Sequence, residues 1–378
     1  MKYLKEFSSV TYVATSNQFY AKSDGVPHTG RVFYKLYAGG DHRYSFLFSS
    51  VTDGTVGIGD ESRCNMIFDE WDILSMRLCI VEDCPVGEAT EKVTMSDDGT
   101  AEIKLGEFYD LTFDGKKSKT VAPGEFFSTD PIRLSPKDGD FFCLEITFKG
   151  EHIPTHFETR AATFVLQNGE WVRSTDMPLA GMVGSDRPVK HRIAYFGDSI
   201  TAGVGTDLNA YEHWNALVSE GLGKENAYWN LGIGYGTAKD AASNGAWMFK
   251  AKQNDFVVLC FGVNDLFVCP ENVVENLREA VRLLLDAGIK VFIQTLPPFD
   301  QDDEWRNRWL RANERIRKEI VPLTVGYFEP YKAIAKSEDE PCTTVYGAHP
   351  NGEGCKKWAE MLLPVLREAL KKTYGDEY

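Results

Sequence analysis

Ser199 lies in the run Phe196-Gly197-Asp198-Ser199-Ile200-Thr201, directly after the apolar stretch Arg192-Ile193-Ala194-Tyr195 and before the looser Thr201-Ala202-Gly203-Val204-Gly205. A hydroxyl at the carboxyl end of a buried strand stands at the edge where open α/β sheets place their ligands. Glycine beside it lets the backbone turn sharply and come close to a bound molecule. The chemistry open to such a hydroxyl is attack on an acyl carbon, which needs a base for its proton and donors for the oxyanion that forms. Gly-Asp-Ser is also ordinary turn chemistry, so the partners decide. Three later loops follow strand-like runs and reach the same edge: Asn230-Leu231-Gly232-Ile233-Gly234-Tyr235-Gly236-Thr237, Phe261-Gly262-Val263-Asn264-Asp265, and Tyr346-Gly347-Ala348-His349-Pro350-Asn351.

The elements that must position these loops fall into two halves. Residues 1–185 read as β structure: short alternating runs such as Arg31–Tyr37 and Ala101–Leu105, separated by the turn signals Asp98-Gly99, Asp114-Gly115, Asp138-Gly139 and Asn168-Gly169. Phe141–Phe148 reads as a central strand, and the half as an all-β, jelly-roll-like sandwich. Asp176 to Pro188, rich in Pro and Gly, reads as a linker. In residues 186–378 the pattern becomes strand, loop, helix, repeated. Strands are expected over Arg192–Phe196, Ala227–Leu231, Phe256–Cys260, Lys290–Gln294 and Thr324–Phe328. Helices are expected over Trp214–Gly221, Ala238–Phe249, Val273–Ala287, Glu304–Ile320 and Gly352–Lys371. Apolar residues at Val273, Val274, Leu277, Val281, Leu284 and Leu285 line one face of the third helix. The alternation predicts an α/β fold with a parallel sheet covered on both sides.

At 378 residues with 43% hydrophobic content, the chain is long enough for more than one buried core. A net charge of −15 argues against nucleic acid and against anionic membrane surfaces as partners. The opening residues lack the apolar core of a signal peptide, and no run approaches the ~20 apolar residues that span a bilayer, so the expected location is cytoplasmic. The eight cysteines are scattered, without a C-x-x-C pair for zinc, and Cys143 and Cys260 read as small core residues. Disulfides are not expected; were the chain exported, Cys79 and Cys84 are the pair considered.

Gly197-Asp198-Ser199-Ile200-Thr201, Gly262-Val263-Asn264-Asp265 and His349-Pro350-Asn351, in this order, resemble the SGNH/GDSL hydrolase family from Arg192 to the C-terminal helix. The resemblance implies a three-layer α/β/α, flavodoxin-like hydrolase domain and an ester hydrolase that needs no metal or organic cofactor. Ser199 is then the nucleophile and His349 its base. The oxyanion donors map onto the N–H of Ser199, a backbone N–H within Gly232–Gly236, and the side-chain amide of Asn264, with Asp198 and Asp265 supporting. Two positions depart from the family pattern. Tyr346 stands three residues before His349, where an aspartate normally orients the histidine, so a Ser–His dyad is expected, with a backbone carbonyl or an acid from elsewhere beside His349. Asp339, Glu340 and Glu329 are the acids considered. In the glycine loop, the oxyanion glycine falls on Tyr235, between Gly234 and Gly236. Either the loop carries one shifted residue, or Tyr235 gives its own N–H, as any residue but proline can.

Other motifs read more plainly. Gly232-x-Gly234-x-Gly236 has Thr237 where a dinucleotide fingerprint needs glycine. His152 and His156 have helical ligand spacing, but Pro154 and a strand pattern intervene, so no metal site is expected. His213 reads as a helix-start or pocket-rim residue, and Tyr211 and Trp214 as either cleft or core. Val121–Gly124, Ser128–Pro131, Gly139-Asp140 and Pro154-Thr155-His156 resemble the β-domain that precedes the catalytic domain in some larger esterases of the family, often associated with carbohydrate esters. The expected activity is removal of a short acyl group, preferentially acetyl, from a small-molecule or oligosaccharide ester. The alternatives are a lysophospholipase or thioesterase using the same residues, and a carbohydrate-binding protein with weakened catalysis. No nucleic-acid or membrane partner is expected, and oligomerisation is left open.

Overall fold

The computed structural model describes residues 2–54, 64–67, 69–84, 92, 93, 95, 96, 103–299 and 302–375. The Asp98-Gly99 turn and the first two residues of Ala101–Leu105 lie outside them. The N-terminal half is mostly β. Its principal strands are β1 (His28–Lys35), β2 (His42–Ser49), β3 (Trp71–Val81), β4 (Phe141–Lys149), β5 (Ala162–Gln167) and β6 (Met182–Ser185). One antiparallel sheet has β4 between β3 and β1, with β5 beyond β1; a second has β6 beside β2. Phe141–Phe148 is thus central, as its apolar run predicts, and buried along nearly its whole length. The two sheets touch through rings: Tyr44 of β2 meets Phe142 of β4 at 5.0 Å. The expected linker is in part a strand, because Met182–Ser185 finds a full ladder along β2 while its neighbours do not. No disulfide joins the cysteines among the described residues; Cys79 lies directly opposite Cys143 across β3 and β4 rather than against Cys84.

The second half contains five parallel strands: β7 (Arg192–Gly197), β8 (Ala227–Asn230), β9 (Phe256–Cys260), β10 (Lys290–Gln294) and β11 (Gly326–Phe328). They lie in the order β8-β7-β9-β10-β11. β9 is buried at every position, the pattern of a strand covered on both faces. The first two strands of this sheet run outward in one direction and the next three in the other. The reversal between β7 and β9 is the switch point at which such sheets bind ligands beyond their carboxyl ends, and Ser199 follows β7 there.

The helices that frame the sheet and the site include α1 (Ser199–Ala202), α2 (Trp214–Leu222), α3 (Ala238–Ala242), α4 (Ala246–Ala251), α5 (Asp265–Val268), α6 (Val273–Asp286), α7 (Asp303–Glu319) and α8 (Gly352–Tyr374). The single helix expected over Ala238–Phe249 is two. Ser243-Asn244-Gly245 breaks it, with Asn244 in the left-handed region at φ 57°. The strand expected from Thr324 starts two residues later, behind a 3₁₀ turn over Val321–Leu323. α2 packs on α8, with Trp214 stacked on Trp358 at 5.3 Å, whereas α6 packs on α3 and α7. Among the described residues no helix is long and apolar enough to cross a membrane.

A single hydrophobic cluster runs through both halves. Tyr12 stacks on Tyr37 at 4.2 Å and meets Tyr211 and Tyr228 at 4.7 and 6.1 Å. Beside it, Lys250 of α4 forms an ion pair with Asp53, and both side chains are essentially inaccessible (1% and 0%). Asp53 Oδ2 also accepts the N–H of Asn17 at 2.8 Å. Removing one partner of a buried pair leaves an uncompensated charge, which costs about 3–5 kcal/mol. Lys250→Met is therefore expected to lower stability by about that amount in chemical denaturation. Adding Asp53→Asn should recover much of the loss, since asparagine keeps the acceptor for Asn17 without the charge.

Candidate active site

Local geometry around Ser199 follows from its neighbours. A Cβ on Gly197 would lie 2.1 Å from Thr201 Oγ1 and 2.5 Å from the Cys260 carbonyl, so only glycine fits. Asp198 is the N-cap of α1, its Oδ1 accepting the N–H of Ile200 at 3.0 Å. That cap winds one helical turn, which Gly203 ends at φ 100°. Ser199 is the first helical residue, so its N–H has no acceptor within the helix. Its Oγ lies 2.8 Å from His349 Nε2.

His349 arrives on the loop before α8, which Asn351 caps by accepting the Gly354 N–H at 3.0 Å. The loop can approach because Gly205 has no side chain; a Cβ there would be 2.6 Å from the His349 carbonyl. Phe299 meets the imidazole edge-on, ring centroids 6.0 Å apart at 81°. Among the described residues no acceptor stands at His349 Nδ1. Two of the acids considered from the sequence are engaged elsewhere: Glu329 pairs with Arg317 and Lys332, and Glu340 with Lys336. Tyr346 directs its hydroxyl to Lys357. Burial, and then the charge of Arg160, hold the His349 pKa below its ordinary value, so the ring stays neutral to lower pH.

The glycine loop after β8 is shaped by Asn230, whose Oδ1 accepts the Gly232 N–H at 2.9 Å while its Nδ2 donates to the Thr201 carbonyl at 3.0 Å. A Cβ on Gly232 would sit 2.2 Å from the Ala202 nitrogen. Ile233 to Gly236 form a turn closed by Gly236 N–H donating to the Ile233 carbonyl at 3.0 Å, with Tyr235 at φ 62°. The Gly236 N–H is thereby used inside the turn. Those of Gly234 and Tyr235 have no acceptor among the described residues. Asn264 donates one amide hydrogen to the Gly236 carbonyl at 3.0 Å, keeping the other. Asp265 braces the loop from behind, its Oδ2 accepting the Ala238 N–H at 2.9 Å.

Three residues of the N-terminal half reach this site and carry no motif that marks them. Gln18 and Glu158 stand at the glycine loop. Arg160 donates to the Thr206 carbonyl at 3.1 Å from beside the Gly203 turn. The only signal nearby is the Pro154-Thr155-His156 segment two residues upstream of Glu158. Phe157 and Tyr235 expose their rings (37% each), 6.3 Å apart. Tyr211 and Trp214 are core, the tyrosine hydroxyl bonded to Thr11 Oγ1 at 3.0 Å. His213 is a buried helix-start residue, with Nε2 on the Tyr12 carbonyl at 3.1 Å. His156 is buried with Nδ1 at the Ser16 carbonyl at 2.8 Å; among the described residues it shares no ligand cluster with His152, which lies instead beside Asp69 and Glu151.

Burial drives two carboxyls at the site far from their ordinary range. Asp198 rises to about 8, through burial and then the nearby charges of Asp265 and Glu158, its Oδ2 having no hydrogen-bond partner among the described residues; Asp265 rises to about 7, again mainly by burial. The native state therefore keeps a proton on Asp198 that the unfolded chain, near 3.9, releases. Its stabilisation is complete below the unfolded pKa and is lost as pH rises through about 8. Asp198→Asn keeps the Oδ1 cap and does not titrate. Relative to the parent, it is expected to gain on the order of a few kcal/mol between about pH 5 and about pH 9, read from denaturation at both pH values. A constant difference would contradict the burial argument.

Among solved structures, a family two carbohydrate esterase from Clostridium thermocellum in complex with cellohexaose is 10% identical, with a TM-score of 0.40 over 96% of this chain and 99% of that one. A family two carbohydrate esterase from Cellvibrio japonicus is 13% identical, with a TM-score of 0.38 over 97% of each chain. A member of the lipolytic protein G-D-S-L family from Veillonella parvula is 19% identical, with a TM-score of 0.38 over 47% of this chain and 98% of its own. No curated protein sequence matches. Residues 195–357, which hold Ser199, the glycine loop, Asn264 and His349, match the model of the GDSL-like lipase/acylhydrolase family, and the chain carries a domain of that family over those residues.

Proposed function

We propose that this chain is a serine esterase that removes a short acyl group, preferentially acetyl, from a carbohydrate-type ester. In this reading residues 186–378 form the catalytic domain, a three-layer flavodoxin-like unit, and residues 1–185 an accessory jelly-roll-like β-domain. The observation that carries the proposal is the 2.8 Å contact of Ser199 Oγ with His349 Nε2, together with a glycine loop whose Gly234 and Tyr235 N–H groups have no acceptor among the described residues. Ser199 Oγ attacks the ester carbonyl carbon as His349 Nε2 takes its proton. The carbonyl π electrons move onto oxygen, which receives hydrogen bonds from the N–H of Ser199, the N–H of Gly234 or Tyr235, and the free amide hydrogen of Asn264. Collapse expels the alcohol, which leaves with the proton held on His349. Water then attacks the acyl-serine in the same way and releases the acid.

A sugar alcohol suits the surroundings. The exposed rings of Phe157 and Tyr235 offer an aromatic face next to polar Glu158 and Gln18, and a net charge of −15 suits anionic phospholipid surfaces poorly. A panel comparing acetylated sugars with long-chain esters and thioesters separates this reading from a lysophospholipase or thioesterase. Ser199→Ala is expected to lower turnover of p-nitrophenyl acetate by at least about 10³ with the melting temperature preserved. Unchanged turnover in that variant would remove Ser199 from the reaction.

A further inference from the structure

The turn Ile233–Gly236 has its left-handed residue at the third position alone, Tyr235 at φ 62°. Among the standard turns only type II has that pattern, and it normally asks for glycine or asparagine there. Type I, which a tyrosine prefers, differs from type II by roughly 150–170° in the two torsions flanking the central peptide. The Gly234–Tyr235 peptide therefore points opposite ways in the two turns. Because a trans peptide sets its C=O and N–H in opposite directions, whatever fixes the Gly234 carbonyl also fixes where the Tyr235 N–H points.

One side chain does fix it. Gln18 is fully buried and comes from the N-terminal half; its Nε2 donates to the Gly234 carbonyl at 3.2 Å and to Glu158 Oε2 at 3.0 Å. Glu158 lies so close that a Cβ on Gly234 would stand 1.2 Å from its Oε2. The Gln18 amide is itself held, since its Oε1 accepts the Glu158 N–H at 3.4 Å.

We infer that Gln18, oriented by Glu158, is a positioning residue that holds the Gly234–Tyr235 peptide in its type II setting and so aims the Tyr235 N–H at the oxyanion. This inference rests on the proposed acyl transfer and gives the N-terminal half a part in it. Without the Gln18 donor the strained tyrosine relaxes toward type I, and its N–H turns away while Ser199 and His349 stay in place. The effect falls on the transition state, where the charge develops, more than on ground-state binding.

The test uses the full chain and p-nitrophenyl acetate. Gln18→Met keeps the volume and removes the donor; kcat is expected to fall about ten-fold or more with KM within about two-fold, less than the 10²–10³ of deleting a donor outright. Gln18→Glu supplies a chemical switch. An ionised carboxylate cannot donate to Gly234 and repels Glu158, whereas a protonated one can donate, so its kcat relative to the parent is expected to rise as the pH is lowered. Denaturation of Gln18→Glu over the same pH range separates the two roles: a merely structural role recovers kcat only where the folded fraction recovers, whereas the positioning role changes kcat while the protein is fully folded. The inference is overturned if Gln18→Met keeps parental kcat, or if the Gln18→Glu ratio is flat with pH. Should Gln18→Met fail to fold, the Gln18→Glu profile alone decides. If Ser199→Ala keeps its turnover, the acyl-transfer reading itself fails; if Ser199→Ala is inactive and Gln18→Met is not impaired, only the positioning role does.

Discussion

The hydrogen bond between Ser199 and His349 joins positions 150 residues apart in sequence, and the rest of the second half is arranged so that it can form. A parallel sheet whose order reverses between β7 and β9 leaves a crevice at its carboxyl edge. β7 delivers the serine there and the loop before α8 delivers the histidine. Both approaches need backbone with no Cβ: Gly197 against Cys260, Gly205 against the His349 carbonyl, Gly232 against α1. In each case an added methyl group would overlap backbone atoms that cannot swing aside, so the glycines are geometric requirements of the contact rather than loose hinges.

The same crevice is costly electrostatically. Asp198 is buried near Asp265 and Glu158, and Asp265 near Asp240; burial raises the pKa of Asp198, Asp265 and Glu158. They remain because each oxygen in use caps a backbone N–H that shapes the site: Ile200 in α1 and Ala238 in α3. Arg160 contributes the opposite sign, and after burial, the larger cause, its charge helps hold the His349 pKa below its ordinary value. The N-terminal half is accordingly no remote buttress. Its Gln18 and Glu158 stand at the glycine loop and its Arg160 at the turn after α1, and the buried Lys250–Asp53 pair and the tyrosine cluster hold the two halves in register.

Much of this was legible in the sequence where the signal is local. Phe256–Cys260 and Lys290–Gln294 are strands over just those residues, because fully buried parallel strands are written as short apolar runs. Ser199, Asn264 and His349 stand in motifs that follow such runs. The break at Ser243-Asn244-Gly245 was also written in turn-forming residues, but the apolar pattern around it masked it. What could not be read is what depends on distant pairing. Met182–Ser185 looks like a linker until β2 supplies its ladder. Gln18 meets Gly234 across 216 positions, and nothing in the composition around Gln18 marks that contact. Tyr235 gave no warning of a left-handed conformation either, since the side chain disfavours the very backbone that its neighbours impose.

Whether the pair at the centre is chemically live is most directly tested by covalent labelling with a serine-directed fluorophosphonate, followed by peptide mass analysis. The account predicts stoichiometric modification at Ser199, lost in Ser199→Ala and strongly slowed in His349→Ala. An unlabelled protein, or labelling that is indifferent to His349, would contradict it and favour a carbohydrate-binding protein whose His349, lacking an acceptor for Nδ1 among the described residues, no longer activates the serine.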